Sequence, residues 1–225
     1  MKRTYLVVIS ILLFSSSYAQ LFTIAGQDIG FVYLGPKIGT NFSKISNMDQ
    51  TGLDVTTRMG YQFGGVAELG LTNMLSFETE LVFTSKGMSN DLSATRVNYL
   101  SIPLLAKFSF NMLGLSRVYA TGGMYNNLRT NAKVVYQDVF GESFDETHHY
   151  TVIDWGLSVG AGAAYDIGYG LLCLDLRYDL GIVDVEKVIE TEKNRNRSLG
   201  IALTFKYDAV DLFLRLRKQK LEPEV

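Results

Sequence analysis

The sequence is poor in several features that define common protein classes. It has one cysteine, Cys173, so no internal disulfide can form, and cysteine usage leaves the redox compartment open. Its 21 basic and 23 acidic residues give a net charge of −2, which excludes the basic surface of a nucleic-acid-binding protein. Three prolines beside 21 glycines, 13 tyrosines and 13 phenylalanines suit a β-protein with small residues on one face and aromatic residues on the other.

Long apolar runs are also missing, apart from one short stretch at the N-terminus. Lys2 and Arg3 precede the apolar residues 5–14, and small polar residues follow, so the start has the three parts of a signal peptide. We predict cleavage between Ala19 and Gln20. An N-terminal membrane anchor is disfavoured because the run is too short, and no later segment reaches the ~18 apolar residues of a transmembrane helix. The pattern indicates an exported protein, either soluble or inserted as a β-barrel.

What the sequence does contain is alternation with a period of two, most clearly in residues 154–181. Two alternating stretches are joined there by a short glycine-containing turn at 166–170, and each is about the roughly 9–11 residues of a membrane-crossing strand. Charged side chains occupy one row and apolar side chains the other, which is typical of a transmembrane hairpin with lipid on one side and a polar interior on the other. The predicted lipid-facing residues include Trp155, Leu157, Val159, Leu172, Leu174, Leu176 and Tyr178.

The same alternation recurs along the chain, with one weak stretch whose register is ambiguous. The further predicted strands are at about 31–42, 58–71, 75–85, 97–110, 117–129 (the weak one) and 197–207. The connections after the odd-numbered strands are long and polar, at 43–57, 87–95, 131–150 and 183–195, and the others are short. Outer-membrane barrels have long loops outside the cell and short turns in the periplasm.

The prediction is therefore an all-β fold, an eight-stranded antiparallel up-and-down transmembrane β-barrel in the outer membrane. The predicted organisation is a signal peptide at 1–19, an N-terminal lead at 20–30, the barrel at 31–207 and a C-terminal periplasmic tail at 208–225. A soluble β-sandwich or lipocalin-like barrel is the alternative. It predicts extraction without detergent and no heat-dependent mobility change on a denaturing gel.

An eight-stranded barrel has an interior just wide enough for side chains to fill it. Buried charges persist only when they are paired and hydrogen-bonded, so we predict a polar network in which Arg177 and Lys107 bridge carboxylates of neighbouring strands. A narrow ion path or a ligand site is the functional alternative. The predicted inward residues are Glu68, Glu78, Glu80, Lys107, Asp154, Asp175, Arg177, Asp179 and Lys206.

Catalytic and cofactor signatures are weak. The two histidines, His148 and His149, are adjacent in the third long loop, and adjacent strand residues point to opposite faces, so they do not suit one metal ion. The glycine-rich stretches lack the following helix that phosphate binding needs. We predict no enzyme activity, no cofactor and no metal, and interpret Cys173 as a small buried filler.

Several short motifs resemble a known family. Residues 98–108, NYLSIPLLAKF, are similar to the YLxIPLLxKY strand of the PorT-like outer-membrane β-barrel proteins. The segments YLGPKIGTNFS, DWGLSVGAGAAYDI, LRYDLGI and NRSLGIALTFKY add to the resemblance, which covers 31–207. It implies a small barrel of about eight strands in a Gram-negative outer membrane. It implies no single activity, although one member is an accessory of protein secretion. The chain departs from such barrels by continuing after Tyr207.

Two functions from different classes are consistent with these patterns. The first is a structural or interaction barrel whose loops or tail dock envelope or secretion-system proteins. The second is a small transport or ligand-binding barrel, and a lipid-modifying enzyme is a distant third. The expected surroundings are outer-membrane lipid, with no nucleic acid.

Overall fold

A computed structural model describes the strands and the parts of the connections next to them. The described residues are 23–24, 27–28, 31–46, 56–72, 74–89, 93–112, 115–136, 143–145, 147, 150–185 and 194–209. The predicted signal peptide with its cleavage site, most of the lead and the tail, and both histidines lie outside them. No helix within these ranges is long and apolar enough to cross a membrane.

Eight antiparallel strands form one closed sheet. They are β1 (Phe31–Ile45), β2 (Thr56–Gly70), β3 (Leu75–Ser89), β4 (Ser93–Ser101 and Leu104–Met112), β5 (Leu115–Tyr136), β6 (Ile153–Asp166), β7 (Leu171–Gly181) and β8 (Asn196–Asp208). Each strand pairs with the next in the chain, and β8 pairs with β1, which closes the barrel. Thr23–Ile24 and Gln27–Asp28 form a separate two-stranded pair, and Ser143–Asp145 pairs with the end of β5.

Strand β4 is one strand that is interrupted at Ile102 and Pro103. Its two segments face β3 in a single register, since Ser101 is opposite Val82 and Leu104 is opposite Thr79. The gap contains Pro103, which has no backbone N–H to donate to the ladder. Its carbonyl is still used, because the Thr79 hydroxyl donates to it at 3.1 Å. The proline therefore removes a donor without ending the strand.

Burial alternates along every strand, as the sequence pattern requires. Inward positions carry small, polar or charged side chains, and outward positions carry apolar ones that remain exposed, for example Ile38 at 66% and Leu174 at 53%. Outward aromatic side chains gather at both ends of the barrel. Tyr61, Phe63 and Phe83 contact one another toward the end with the longer connections, and Tyr169, Phe205 and Tyr207 do so at the end with the short turns. An apolar band between two aromatic girdles is the surface of an outer-membrane barrel.

The prediction of a second loop at 87–95 is wrong. Strand β3 continues to Ser89 and strand β4 begins at Ser93, so only three residues separate them. Polar residues outside the apolar band pair as strands as readily as they form loops, so composition does not mark the strand end. Gly87, with φ at 147°, fits the tight approach to β4 that this extension needs, since a Cβ there would lie 2.0 Å from the Thr95 carbonyl oxygen.

The fifth strand is also longer than expected. It continues through Tyr136, into residues that the sequence assigned to the third loop. The sequence pattern did not predict this extension because the strand contains a β-bulge at Thr130, where Asn98 faces Asn131 but Tyr99 faces Arg129. The extra residue shifts the alternation by one position, so the extension does not continue the pattern below it.

Candidate functional site

The charged side chains that could take part in binding or catalysis lie in the barrel interior. All nine predicted inward residues lie on the inward rows, and each is buried or nearly so, with the Arg177 side chain 12% exposed. The structure groups eight of them, together with Lys37 and Lys86, in three clusters along the barrel axis, which we call the interior network, and Asp154 lies apart.

The first cluster lies toward the short turns and joins β2, β3, β4 and β8. Lys206 contacts Glu68 at 2.6 Å and also pairs with Glu78. Lys107 contacts the same two carboxylates at 3.0 and 3.3 Å. The Ser76 hydroxyl donates to Glu68 at 2.7 Å. Two cations between two carboxylates balance the charge of this cluster.

The second cluster lies at mid-barrel. Glu80 accepts from Lys37 at 2.7 Å and from Arg177 at 2.9 Å, so one carboxylate connects β1, β3 and β7. Asp175 lies 3.5 Å from Lys37 and accepts hydrogen bonds from Tyr119 and Thr204, both at 2.6 Å.

The third cluster lies toward the longer connections. Lys86 pairs with Asp179 at 2.8 Å, and the Ser158 hydroxyl donates to the same carboxylate at 2.8 Å. Arg177 lies 3.6 Å from Asp179, which links this cluster to the one at mid-barrel. The Lys86 ammonium also lies 4.6 Å above the ring of Tyr125.

Asp154 is fully buried and has a different environment. It accepts hydrogen bonds from Tyr125 at 3.2 Å and from Asn127 and Asn196 at 2.9 Å. No cation pairs with it within the described ranges. Neutral donors therefore hold this carboxylate, whereas cations hold the others.

The positive and negative charges in the ion pairs of the interior network are equal in number. These pairs join five cations to five carboxylates, namely Lys37, Lys86, Lys107, Arg177 and Lys206 with Glu68, Glu78, Glu80, Asp175 and Asp179. Because buried charges need partners, a matched set is what a dry, filled interior requires.

Little open space remains between these side chains. One interior cavity, beside Arg177 and Asp179, measures about 10 Å³, which is about the space of one water molecule. Above the network, six apolar side chains pack across the loop-side mouth of the barrel: Ile45, Val97, Tyr99, Ala132, Tyr150 and Val185. The interior is therefore packed with side chains.

Sequence reasoning placed Lys37 on the inward row but not in the network, and it missed the role of Lys86. The alternation of the third strand places Lys86 on the same face as Glu78 and Glu80, just beyond the strand end predicted at Ser85. Tyr119 and Tyr125 were missed because the register of the fifth strand was ambiguous. The alternation of β1 and β3 predicts that both lysines point inward, but it does not predict their partners on other strands.

No group of three or more histidine, cysteine, aspartate or glutamate side chains in the described part of the chain could hold a metal ion. Cys173 is buried beside Tyr119, Ala164 and Leu171.

The ring of Tyr119 lies against Gly162, and this contact provides a test of interior packing. A Cβ at Gly162 would lie 2.4 Å from the tyrosine ring, whereas a Cβ at the outward Gly122 would meet nothing within 4 Å. We expect Gly162→Ala to cost about 1–3 kcal/mol of unfolding free energy, because the ring and its bond to Asp175 must move. Gly122→Ala is the matched control and should change stability by less than about 0.5 kcal/mol. Equal effects in urea unfolding would contradict the packing described here.

On the outer face, the seven residues predicted to face lipid lie on one continuous exposed surface of β6 and β7. Val159 is opposite Tyr178, Ala161 is opposite Leu176, and Ala163 is opposite Leu174. The inward and outward sets of this hairpin are therefore separated by the sheet itself.

Comparison with known proteins agrees with this architecture. The sequence profile of the outer membrane protein beta-barrel domain matches residues 18–187. The chain belongs to this family. The barrel is therefore an outer-membrane protein, and its polar interior and apolar outer face are those of a barrel in lipid. No curated protein sequence matches the chain significantly.

Solved structures with a similar fold are small outer-membrane barrels of low sequence identity. Neisserial surface protein A has a TM-score of 0.48 at 16% identity and covers 80% of this chain and 100% of its own. Ail of Yersinia pestis, solved with the heparin analogue sucrose octasulfate, has a TM-score of 0.41 at 14% identity and covers 79% of this chain and 100% of its own. OprG of Pseudomonas aeruginosa has a TM-score of 0.42 at 13% identity and covers 80% of this chain and 98% of its own.

Proposed function

We propose that this protein is a non-enzymatic and non-conducting outer-membrane barrel that docks partner proteins through its extracellular loops or its C-terminal tail. The observation that carries the proposal is the set of balanced ion pairs that crosses the interior, with a cavity of only about 10 Å³ beside Arg177 and Asp179. A barrel with no open lumen offers its ends and its outer surface for function. This favours an interaction barrel over a transport or ligand-binding barrel.

In this proposal the apolar outer row contacts the membrane. Trp155, Leu157, Leu174 and Leu176 face the hydrocarbon of the membrane, and the inward charges hold the barrel rigid. The mature protein starts at Gln20 after removal of the signal peptide. The tail after β8 lies in the periplasm, because an even number of strands places both chain ends on the side of the short turns.

The resemblance to PorT-like barrels makes protein secretion across the cell envelope the role to test first. A tagged full-length protein should be purified from outer membranes in mild detergent, and secreted cargo should be quantified in a deletion strain. We expect a stoichiometric envelope partner and loss of secretion.

A chain truncated after Ala209 separates the tail from the loops. It keeps all eight strands, so loss of the partner with retention of the folded barrel assigns docking to the tail, and retention of the partner assigns it to the loops. Normal secretion in the deletion strain would remove the secretion role. The absence of any partner beyond those of an unrelated outer-membrane barrel would overturn docking altogether.

A further inference from the structure

Three basic residues occupy neighbouring outward positions where β1 and β8 reach the long connections. Lys44 and Arg197 are direct cross-strand partners. Arg195 continues the same outward row. Its carbonyl accepts a hydrogen bond from the backbone N–H of Ser46 at 2.9 Å, so the pairing of β1 with β8 extends to this residue. Three cations therefore lie side by side on one small surface, which we call the basic rim.

Like charges directly opposite each other on neighbouring strands lie about 4.5–5.5 Å apart at Cβ and destabilise a sheet. Within the described ranges, no ion pair engages Lys44, Arg195 or Arg197. On its other side Arg197 faces Leu180, not a carboxylate. The uncompensated positive charge calls for an anion.

A second cation pair on the opposite side of the barrel shows what a compensated arrangement looks like. Arg96 and Lys133 are cross-strand partners on β4 and β5. Asp145 is opposite Lys133 on the next strand and supplies a negative charge. The basic rim has no carboxylate at the equivalent cross-strand position facing Arg197, so the two pairs differ in their surroundings.

The basic rim lies where lipid headgroups begin. Phe42 and Leu199, one step closer to the barrel centre, are opposite each other and belong to the exposed apolar surface. From Leu34 to Phe42 the outward row of β1 spans about 21 Å along the membrane normal, at ~3.4 Å per residue and ~40° tilt, against an apolar band of about 25 Å. Lys44 and Arg197 follow directly beyond it. The short turns lie at the other end, so this edge faces the outer leaflet.

We propose that Lys44, Arg195 and Arg197 bind a phosphate group of an outer-leaflet glycolipid. A guanidinium binds phosphate oxygens through two parallel N–H donors, and the lysine ammonium adds a point charge. The lipid is already anchored beside the barrel by its acyl chains, so its phosphate reaches the basic rim from the membrane side. The bound lipid relieves the repulsion between Lys44 and Arg197 and holds β8 against β1, where the barrel closes.

Lipid titration of the full-length barrel in zwitterionic micelles, followed by native mass spectrometry, tests this proposal. The probe is a bisphosphorylated glycolipid of the lipid A type, with its dephosphorylated form and inorganic phosphate as separate arms. We expect about fivefold weaker binding for each cation removed, and thus about 25-fold for Lys44→Gln with Arg197→Gln. Lys133→Gln is the matched control at the same level and should stay within about twofold of the unmodified barrel. Wild-type affinity should fall with added salt.

Three results would overturn the proposal. They are unchanged affinity in the double variant, equal binding of the dephosphorylated glycolipid, and displacement of the glycolipid by inorganic phosphate at the same concentration, which would make the site one for free anions. Folding of each variant is checked by its heat-dependent gel mobility. If the double variant does not fold, Arg195→Gln replaces it, with about fivefold weaker binding expected.

Discussion

Lys206→Met is expected to lower the unfolding free energy of the barrel in lipid vesicles by roughly 3–5 kcal/mol, the cost of breaking a buried ion pair by removing one partner. Lys206 is 1% exposed and contacts both Glu68 and Glu78, so its loss leaves two buried carboxylates with Lys107 as their one remaining cation in this cluster. Urea unfolding followed by the fluorescence of Trp155, the single tryptophan, measures the change.

The matched control removes the charge on both sides. Glu78→Gln combined with Lys206→Met leaves the Lys107–Glu68 pair, which is joined at 3.0 Å and stays balanced. We expect the double variant to recover most of the loss, since replacing a buried pair with neutral groups is often close to neutral. Lys133→Met, at an exposed lysine, is the reference variant. If Lys206→Met were as stable as this reference, the interior charges would be solvated, and the description of a filled interior would be wrong.

The second large effect is expected on the outer face. Leu174→Arg should destabilise the barrel in a bilayer by roughly 2–4 kcal/mol, the cost of an arginine at the membrane midplane. Leu174 is exposed, and its cross-strand neighbours Ala163 and Leu203 are both apolar and outward. In water such a position would accept arginine at almost no cost, so the penalty reports on the lipid itself.

Leu172→Arg provides the depth control for this measurement. Leu172 lies on the same row, one step closer to the short turns, with Tyr165 and Phe205 opposite it. Arginine near an interface costs about 0–1 kcal/mol, so its penalty should be clearly smaller than at Leu174. Equal and negligible penalties at both positions in vesicle unfolding experiments would show that this face does not contact hydrocarbon.

The fold could be predicted from the sequence because the two faces of each strand differ in chemistry. In β7, Leu172, Leu174 and Leu176 alternate with Asp175 and Arg177, and that pattern fixes both the secondary structure and the direction of each side chain. Strand ends were harder to predict. Beyond the apolar band the outward face becomes polar and the inward face carries apolar side chains such as Val97 and Ala132, so the extensions of β3 and β5 did not continue the alternation of the strands below them.

The membership of the interior network was predictable, but its pairing was not. Alternation tells which side chains point inward, whereas the partner of each depends on the register between strands far apart in the chain. Arg177 was expected to bridge carboxylates, and it pairs with Glu80, 97 residues away. Asp154 was expected in the same network, yet neutral donors hold it, because Asn127 and Asn196 reach it from two other strands.

Electrical recording in planar bilayers tests the filled interior most directly. Purified full-length protein should be inserted alongside a wide porin that serves as the positive control. We predict no steady conductance, because balanced ion pairs cross the interior and the cavity beside Arg177 and Asp179 holds only about 10 Å³. A large and steady conductance from the purified barrel would contradict the account and make it a channel.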